Sequence, residues 1–218
     1  MINRHMCLAI ILAGLFLGLS GYYLDVIVRI GFDEVLWLAV AGIFIAGGLA
    51  AGGLIQRYKR YSYTDFLTGL YNSRYLYICL EAEITGSRVK GMPLCLALID
   101  VDDFKSINDQ FGHVTGDEML FQIADILQNH VRASDVVARY GGDEFAIIFP
   151  RTSLTVAYQV MENIRHHVET VYSCSGGLTL SAGVVLLQPG QDNKTFLIQA
   201  DQALYRAKKR KNTVELVS

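Results

Sequence analysis

The chain has 218 residues, 52% of them hydrophobic, with 19 basic and 21 acidic side chains and a formal net charge of −2. That length accommodates one domain with a real core and something smaller beside it. The near-neutral charge excludes a broad electrostatic footprint for a nucleic-acid polymer, but not a single nucleotide, which needs only a few local cations. The cysteines (Cys7, Cys79, Cys95 and Cys174) form no C-x-x-C pair, which argues against a zinc site or redox motif and for buried thiols in a reducing compartment.

The hydrophobic excess lies before residue 57. From Met6 to Leu24 only Ser20, Tyr22 and Tyr23 carry polar side-chain atoms, and Val35–Gln56 carries no charge. Each run is long enough to cross a hydrocarbon core of ~30 Å at ~1.5 Å per residue. Arg4 and His5 precede the first run, and Arg57, Lys59 and Arg60 follow the second. The loop between them holds Asp25, Arg29, Asp33 and Glu34. Basic outer ends and an acidic loop predict a transmembrane hairpin over residues 1–60 with both termini cytoplasmic. Tyr22, Tyr23 and Trp37 fall at the loop side, where an aromatic belt sits. A cleavable signal peptide is the alternative for the first run; its basic flank suits that, but no small-x-small site stands near Ser20-Gly21-Tyr22. Gly14 with Gly18, and Gly48 with Gly52, have the small-xxx-small spacing of packed helices, which is also the ordinary glycine content of membrane spans.

About eight residues link the second run to Asp65, with no heptad seam for a coiled-coil stalk. Residues 61–218 then alternate helix and strand signals. "LCLALID" (Leu94–Asp100) is a continuous apolar run ending in an acid and predicts a central buried strand. Met119, Leu120, Ile123, Ile126 and Leu127 line one helix face. "DVVARYGGDEFAIIFP" reads as strand, Gly-Gly turn, strand. Ala157, Val160, Met161, Ile164 and Val168 line a second helix, "GGLTLSAGVVLL" is a strand, and Phe196, Leu197, Ala200, Ala203 and Leu204 line a last helix before an edge strand at "TVELV". The pattern predicts an α/β sheet covered by helices.

Three acids stand out. Asp100 ends a buried strand, where an uncompensated carboxylate costs several kcal/mol unless it is paired or metal-bound. Asp143 and Glu144 end a hairpin that fits beside it. Carboxylates from neighbouring strand ends can hold Mg²⁺ against a triphosphate, and the ion can acidify an attacking hydroxyl and steady a leaving diphosphate. Gly141 and Gly142 have two readings: a turn that needs positive φ, or space for a ligand close to the backbone. Asn108 and Asp117 have the right groups for a guanine edge, and also suit caps and turns. Lys105 and Lys208 suit phosphates, and also an ordinary solvated surface.

Four separated motifs carry a family resemblance. Residues 65–212, about two thirds of the chain, resemble the GGDEF domain of diguanylate cyclases through "DFLTGLYNSR" (Asp65–Arg74), "DVDDFKSINDQFGHVTGD" (Asp100–Asp117), "RYGGDEF" (Arg139–Phe145) and "ADQALYRAK" (Ala200–Lys208). The resemblance implies an α+β, palm-like or ferredoxin-like sheet, antiparallel in part and covered by helices. It implies condensation of two GTP into cyclic di-GMP with loss of two diphosphates, by attack of a ribose 3′-hydroxyl on an α-phosphate. Because each subunit presents one GTP, it implies a homodimer with two sites face to face. Asp100, the Val101 carbonyl and Asp143 are then expected to bind Mg²⁺ or Mn²⁺. Glu144 serves a second metal or the deprotonation, with the base left open between Asp143 and Glu144. Asn108 and Asp117 read guanine, while Phe104 (through its N–H), Lys105, Gly142 and Lys208 lie at the nucleotide. Arg132 and Asp135, an R-x-x-D element ahead of Gly141, match the family's product-inhibition site for cyclic di-GMP, with Arg165 as a candidate support. With the apolar hairpin, the resemblance implies a multi-pass protein of the bacterial inner membrane with its catalytic domain in the cytoplasm.

Two departures stand out. Ser73 replaces a usual arginine, leaving Arg74, and "AKKRKN" lacks a glycine and is one residue shorter than A-K-x-x-G-[RK]-N, which leaves Arg210 and Lys211 as alternative phosphate contacts. Two rival readings are a catalytically silent membrane-bound receptor for cyclic di-GMP and a related cyclase acting on another nucleotide. The intact acids weigh against the first.

Overall fold

The computed structural model describes residues 2–28, 34–173 and 177–217, with side-chain surroundings for 8–24, 36–53, 63–173 and 177–217. The chain divides into two units, Met1–Ser62 and Tyr63–Ser218.

The first unit contains α1 (Ile2–Val28) and most of α2 (Glu34–Tyr63). Among the described residues one helical window, Leu36–Gly53, is long and apolar enough to cross a membrane, and the apolar segment Leu8–Leu24 is shorter. Residues 29–33 of the expected acidic loop lie outside the described residues, as do the side chains of Cys7, Asp25 and the basic group Arg57–Arg60. Gly14 packs on Phe44, where a Cβ would come within 3.3 Å of the Phe44 Cβ, whereas Gly18 meets nothing within 4 Å. The segment read as a linker is helical to Tyr63, an uninterrupted continuation of α2.

The second unit is one six-stranded sheet in the order β1-β3-β4-β2-β5-β6. The strands are β1 (Tyr71–Asn72), β2 (Leu94–Val101), β3 (Val136–Arg139), β4 (Glu144–Pro150), β5 (Leu180–Leu186) and β6 (Val214–Val217). β2 lies in the middle, antiparallel to both β4 and β5, and is buried along its whole length. Its period-two alternation divides the core. Cys95, Ala97 and Ile99 join Phe145, Ile147 and Phe149 of β4 under α5 (His113–Asn129) and α6 (Leu154–Tyr172). Leu94, Leu96 and Leu98 join Ala146 and Ile148 under α3 (Ser73–Lys90) and α7 (Asn193–Arg210). Each such fully buried Leu or Phe contributes about 1.5–3 kcal/mol. α7 lies so close over β5 that a Cβ at Gly183 would come within 2.7 Å of the Ala200 carbonyl oxygen.

The expected strands and helices are present. Three further elements are β1, α3 and α4 (Phe104–Phe111). α3 is capped by Asn72, whose Oδ1 accepts from the Tyr75 N–H at 3.1 Å, and buries Leu76, Leu80 and Ile84 at helical spacing. Of the two readings of the glycine pair, the turn with positive φ does not hold: neither Gly141 nor Gly142 has positive φ.

Candidate active site

The pleat that sends Leu94, Leu96 and Leu98 toward α7 sends Asp100 there as well. Asp100 pairs in register with Glu144, the first residue of β4, so both carboxylates share that face. The adjoining Asp143 is drawn in by its main chain, whose carbonyl oxygen accepts from the Val101 N–H at 3.2 Å. Asp100 is only 4% exposed. Lys208, near the end of α7, donates from Nζ to Asp100 Oδ2 at 2.7 Å.

The electrostatics of this pair are unusual. In an isolated ion pair the acid's pKa falls; here burial pushes the Asp100 carboxyl up, and the neighbouring charges of Asp143 and Glu144 add to that against the pull of Lys208. On the Lys208 ammonium burial acts against the charge, but the hydrogen bond and charge of Asp100, with Asp143 and Glu144 behind it, hold the group above its ordinary value. The site therefore has an excess of negative charge on one buried face. An open cleft of about 830 Å³ adjoins it, lined in part by Glu144, Asp201, Tyr205, Arg206, Lys208 and Lys209.

Among the described residues no three His, Cys, Asp or Glu side chains are already gathered into a cage for a metal ion. The donors nevertheless suit a hard divalent cation shared with a ligand. They are all oxygens, they crowd one sheet end, and the buried Asp100 already recruits a positive charge.

The turn before β4 is fixed from outside. Arg139 donates from Nε and Nη2 to the Gly142 carbonyl oxygen at 3.0 and 2.7 Å, and from Nη1 to Asp65 Oδ1 at 3.0 Å. Asp65 Oδ1 also accepts from the Thr68 N–H and hydroxyl at 2.9 and 2.7 Å. Tyr140 and Gly141 donate their N–H groups to the Glu144 carbonyl oxygen at 2.8 and 3.2 Å. A Cβ at Gly141 would come 2.9 Å from Glu144 Oε2, while one at Gly142 would meet nothing within 4 Å. Gly141 thus makes room for the Glu144 carboxylate, and Gly142 leaves open space beside it.

Phe104 and Asn108 lie one helical turn apart on α4. Phe104 is buried, Lys105 is exposed, and Asn108 Oδ1 is buried with no hydrogen-bond partner among the described residues. Asp117 is exposed on α5 and lines a cleft of about 470 Å³ with Leu67, Val114, Glu118, Phe121 and Gln122. Arg132 and Asp135 sit together at the entrance to β3. The Asp135 carboxylate accepts from the Arg132 main-chain N–H at 3.0 Å, and Arg132 is exposed. Arg165 does not join them: it is held on α6 by Glu162, Glu169 and Asn212.

The sequence reading passed over Asp102, Asp103 and Arg139. Asp102 is 7% exposed and accepts from Thr179 Oγ1 at 2.7 Å, Ser181 Oγ at 2.7 Å and the Asn212 N–H at 2.9 Å. The shortened segment after Lys208 is accommodated by strain. Lys211 has φ 55° and ψ 164°, a conformation ordinarily left to glycine, and its Nζ bonds Asp103 Oδ2 at 2.7 Å. Arg210 pairs with Glu215.

The profile described as "Diguanylate cyclase, GGDEF domain" matches residues 62–213. The chain is 42% identical over 158 residues to diguanylate cyclase DosC of Escherichia coli (strain K12), covering 70% of this chain and 34% of that protein. It is 41% identical over 152 residues to the response regulator PleD of Caulobacter vibrioides (strain NA1000 / CB15N), covering 66% and 34%. It therefore spans about a third of the length of these curated relatives. Among solved structures, the coiled coil and GGDEF domain of DgcB from Caulobacter crescentus in complex with c-di-GMP superposes with a TM-score of 0.77 at 30% identity, covering 82% of this chain and 98% of that one. Diguanylate cyclase SiaD from Pseudomonas aeruginosa, in complex with its activator SiaC, superposes with a TM-score of 0.70 at 31% identity, covering 98% and 84%.

Proposed function

The chain belongs to the GGDEF-domain diguanylate cyclase family, and on that premise we propose that it condenses two GTP into cyclic di-GMP and two diphosphates. The observation that carries this reading is the register pairing of Asp100 with Glu144 on the face covered by Lys208. In each of two steps a ribose 3′-oxygen bonds to the α-phosphorus of the opposing GTP, the bond from that phosphorus to the β-phosphate bridging oxygen breaks, and diphosphate leaves. The 3′-proton passes to Asp143 or Glu144. Asp100, Asp143, Glu144 and the Val101 carbonyl would hold Mg²⁺ or Mn²⁺, which would supply acidification of the hydroxyl and neutralisation of the leaving phosphates. Lys208, Lys105 and the Phe104 N–H bind phosphate oxygens, and Gly142 lets the nucleotide approach the turn. Asn108 and Asp117 read guanine. One subunit supplies one GTP, so the working form is a homodimer.

Arg132 and Asp135 form the product-inhibition site in this reading, supported by the exposed arginine beside an ordered aspartate. Residues 1–60 anchor the protein in the bacterial inner membrane, with the domain from residue 61 in the cytoplasm; the apolar window Leu36–Gly53 and the flanking charges support this.

The test is direct. Purified full-length protein is incubated with GTP and Mg²⁺ and the nucleotides are separated by chromatography. Cyclic di-GMP and diphosphate should appear in a ratio of one to two. No product from concentrated wild-type protein that binds cyclic di-GMP would favour a silent receptor instead.

A further inference from the structure

Gly116 occupies the fourth position of α5, where glycine is the weakest ordinary helix former. Its surroundings account for it. α4 and α5 meet at Gly112, which at φ 83° turns the chain so that the start of α5 falls back across α4. Gly116 is buried at that crossing, its N–H donated to the Gly112 carbonyl oxygen at 3.2 Å. A Cβ on residue 116 would land on Asn108 Oδ1 and lie 3.1 Å from both Asn108 Cγ and Phe104 Cζ. Phe104 and Asn108 are i and i+4, so they share one stripe of α4, and Gly116 is where that stripe meets α5.

We propose that Gly116 is a positioning residue for base recognition: the missing side chain lets the Asn108 amide lie against α5, next to the residue that carries the Asp117 carboxylate. This rests on the proposed GTP site but adds a residue that touches no substrate. The overlap falls on the end of a flexible side chain rather than on backbone, so alanine at 116 moves the amide and leaves the two helices in place. Asn108 Oδ1, buried and without a partner among the described residues, has no protein bond to lose by moving. The consequence is a change in nucleotide selection without collapse of the fold.

The experiment is a double-mutant cycle on the full chain, using Gly116→Ala, Asn108→Ala and both together. GTP affinity is measured by calorimetry and ATP by competition. Gly116→Ala should weaken GTP by roughly tenfold or more and erode the preference over ATP. The double variant should bind no worse than Asn108→Ala alone, because Gly116 acts through Asn108. If Gly116→Ala fails to fold, the double variant removes the overlap and should recover. Unchanged GTP affinity in Gly116→Ala, or losses that simply add, would overturn the assignment. A second readout needs no nucleotide: in [¹⁵N]asparagine-labelled protein the Asn108 side-chain amide resonances should shift in Gly116→Ala. No shift would overturn the positioning role, whereas wild-type protein that binds no GTP would overturn the functional reading alone.

Discussion

Lys208 Nζ lies 2.7 Å from Asp100 Oδ2, and both groups titrate above their ordinary values. One partner is a side chain only 5% exposed and the other is 45% exposed. The pair is therefore a buried acid tethered to a partly solvated base, and the cost of burying Asp100 is only partly offset.

Asp100→Asn should stabilise the protein while abolishing synthesis. A folded-state pKa above the ordinary 3.8 means that the folded chain holds the proton more tightly than the unfolded chain. The Asp100 contribution is thus most favourable below pH 3.8 and is lost as pH rises through the folded value. At neutral pH the asparagine escapes that loss. A gain on the order of 1 kcal/mol, or ~3 °C in the unfolding midpoint, is expected with at least ~10²-fold less activity. Thermal unfolding at pH 7 and at lower pH checks it: the gain should shrink toward acid.

Arg139→Ala should release the glycine turn. The guanidinium holds the Gly142 carbonyl and Asp65 together, with both charged side chains about 15% exposed (14% and 15%). Its loss should cost about 1–3 kcal/mol of stability and more than ~10-fold in turnover, with lysine a poor substitute for the fork. Asp65 adds an acid-side signature. Burial raises its pKa, but the bonds from Thr68 and Arg139 outweigh that and hold it below 3.8. This stabilisation is present above pH 3.8 and lost as pH falls through the folded value, so acid unfolding should begin at higher pH in the variant.

Arg132→Ala should leave initial rates intact and weaken inhibition by cyclic di-GMP by roughly tenfold or more. Progress curves with added product measure this. Unaltered inhibition would place the regulatory site elsewhere.

A reporter inserted in the Asp25–Glu34 segment should report a non-cytoplasmic position, and one fused after residue 218 a cytoplasmic one. A cytoplasmic signal from both would mean that the second apolar run does not cross the membrane, and would overturn the hairpin.

Much of this was legible because it is local. "LCLALID" reads as a buried strand at any register, and the acids of "GGDEF" follow a strand pattern that can only end in a turn. What was hidden depends on contacts across the chain. Asp100, Asp102 and Asp103 look alike in "DVDDF"; the pleat sends the first to Lys208, while Thr179 and Ser181 claim the second. Arg139 finds Asp65 across 74 residues. The glycine pair had two readings, a turn needing positive φ or space near the backbone; neither residue has positive φ, and a Cβ at Gly141 would crowd Glu144. α3 was overlooked although Leu76, Leu80 and Ile84 recur at four-residue spacing behind a capping asparagine.

Asp102 joins the end of β2 to the start of β5 and to Asn212, and Lys208 reaches Asp100 across 108 residues. The order of synthesis follows from this. A nascent chain that has emerged only to residue 200 possesses "GGDEF" and the Thr179 and Ser181 hydroxyls that hold Asp102, yet lacks Lys208, the cation that pairs with Asp100. The pair that offsets the burial of Asp100 therefore closes only once α7 has emerged.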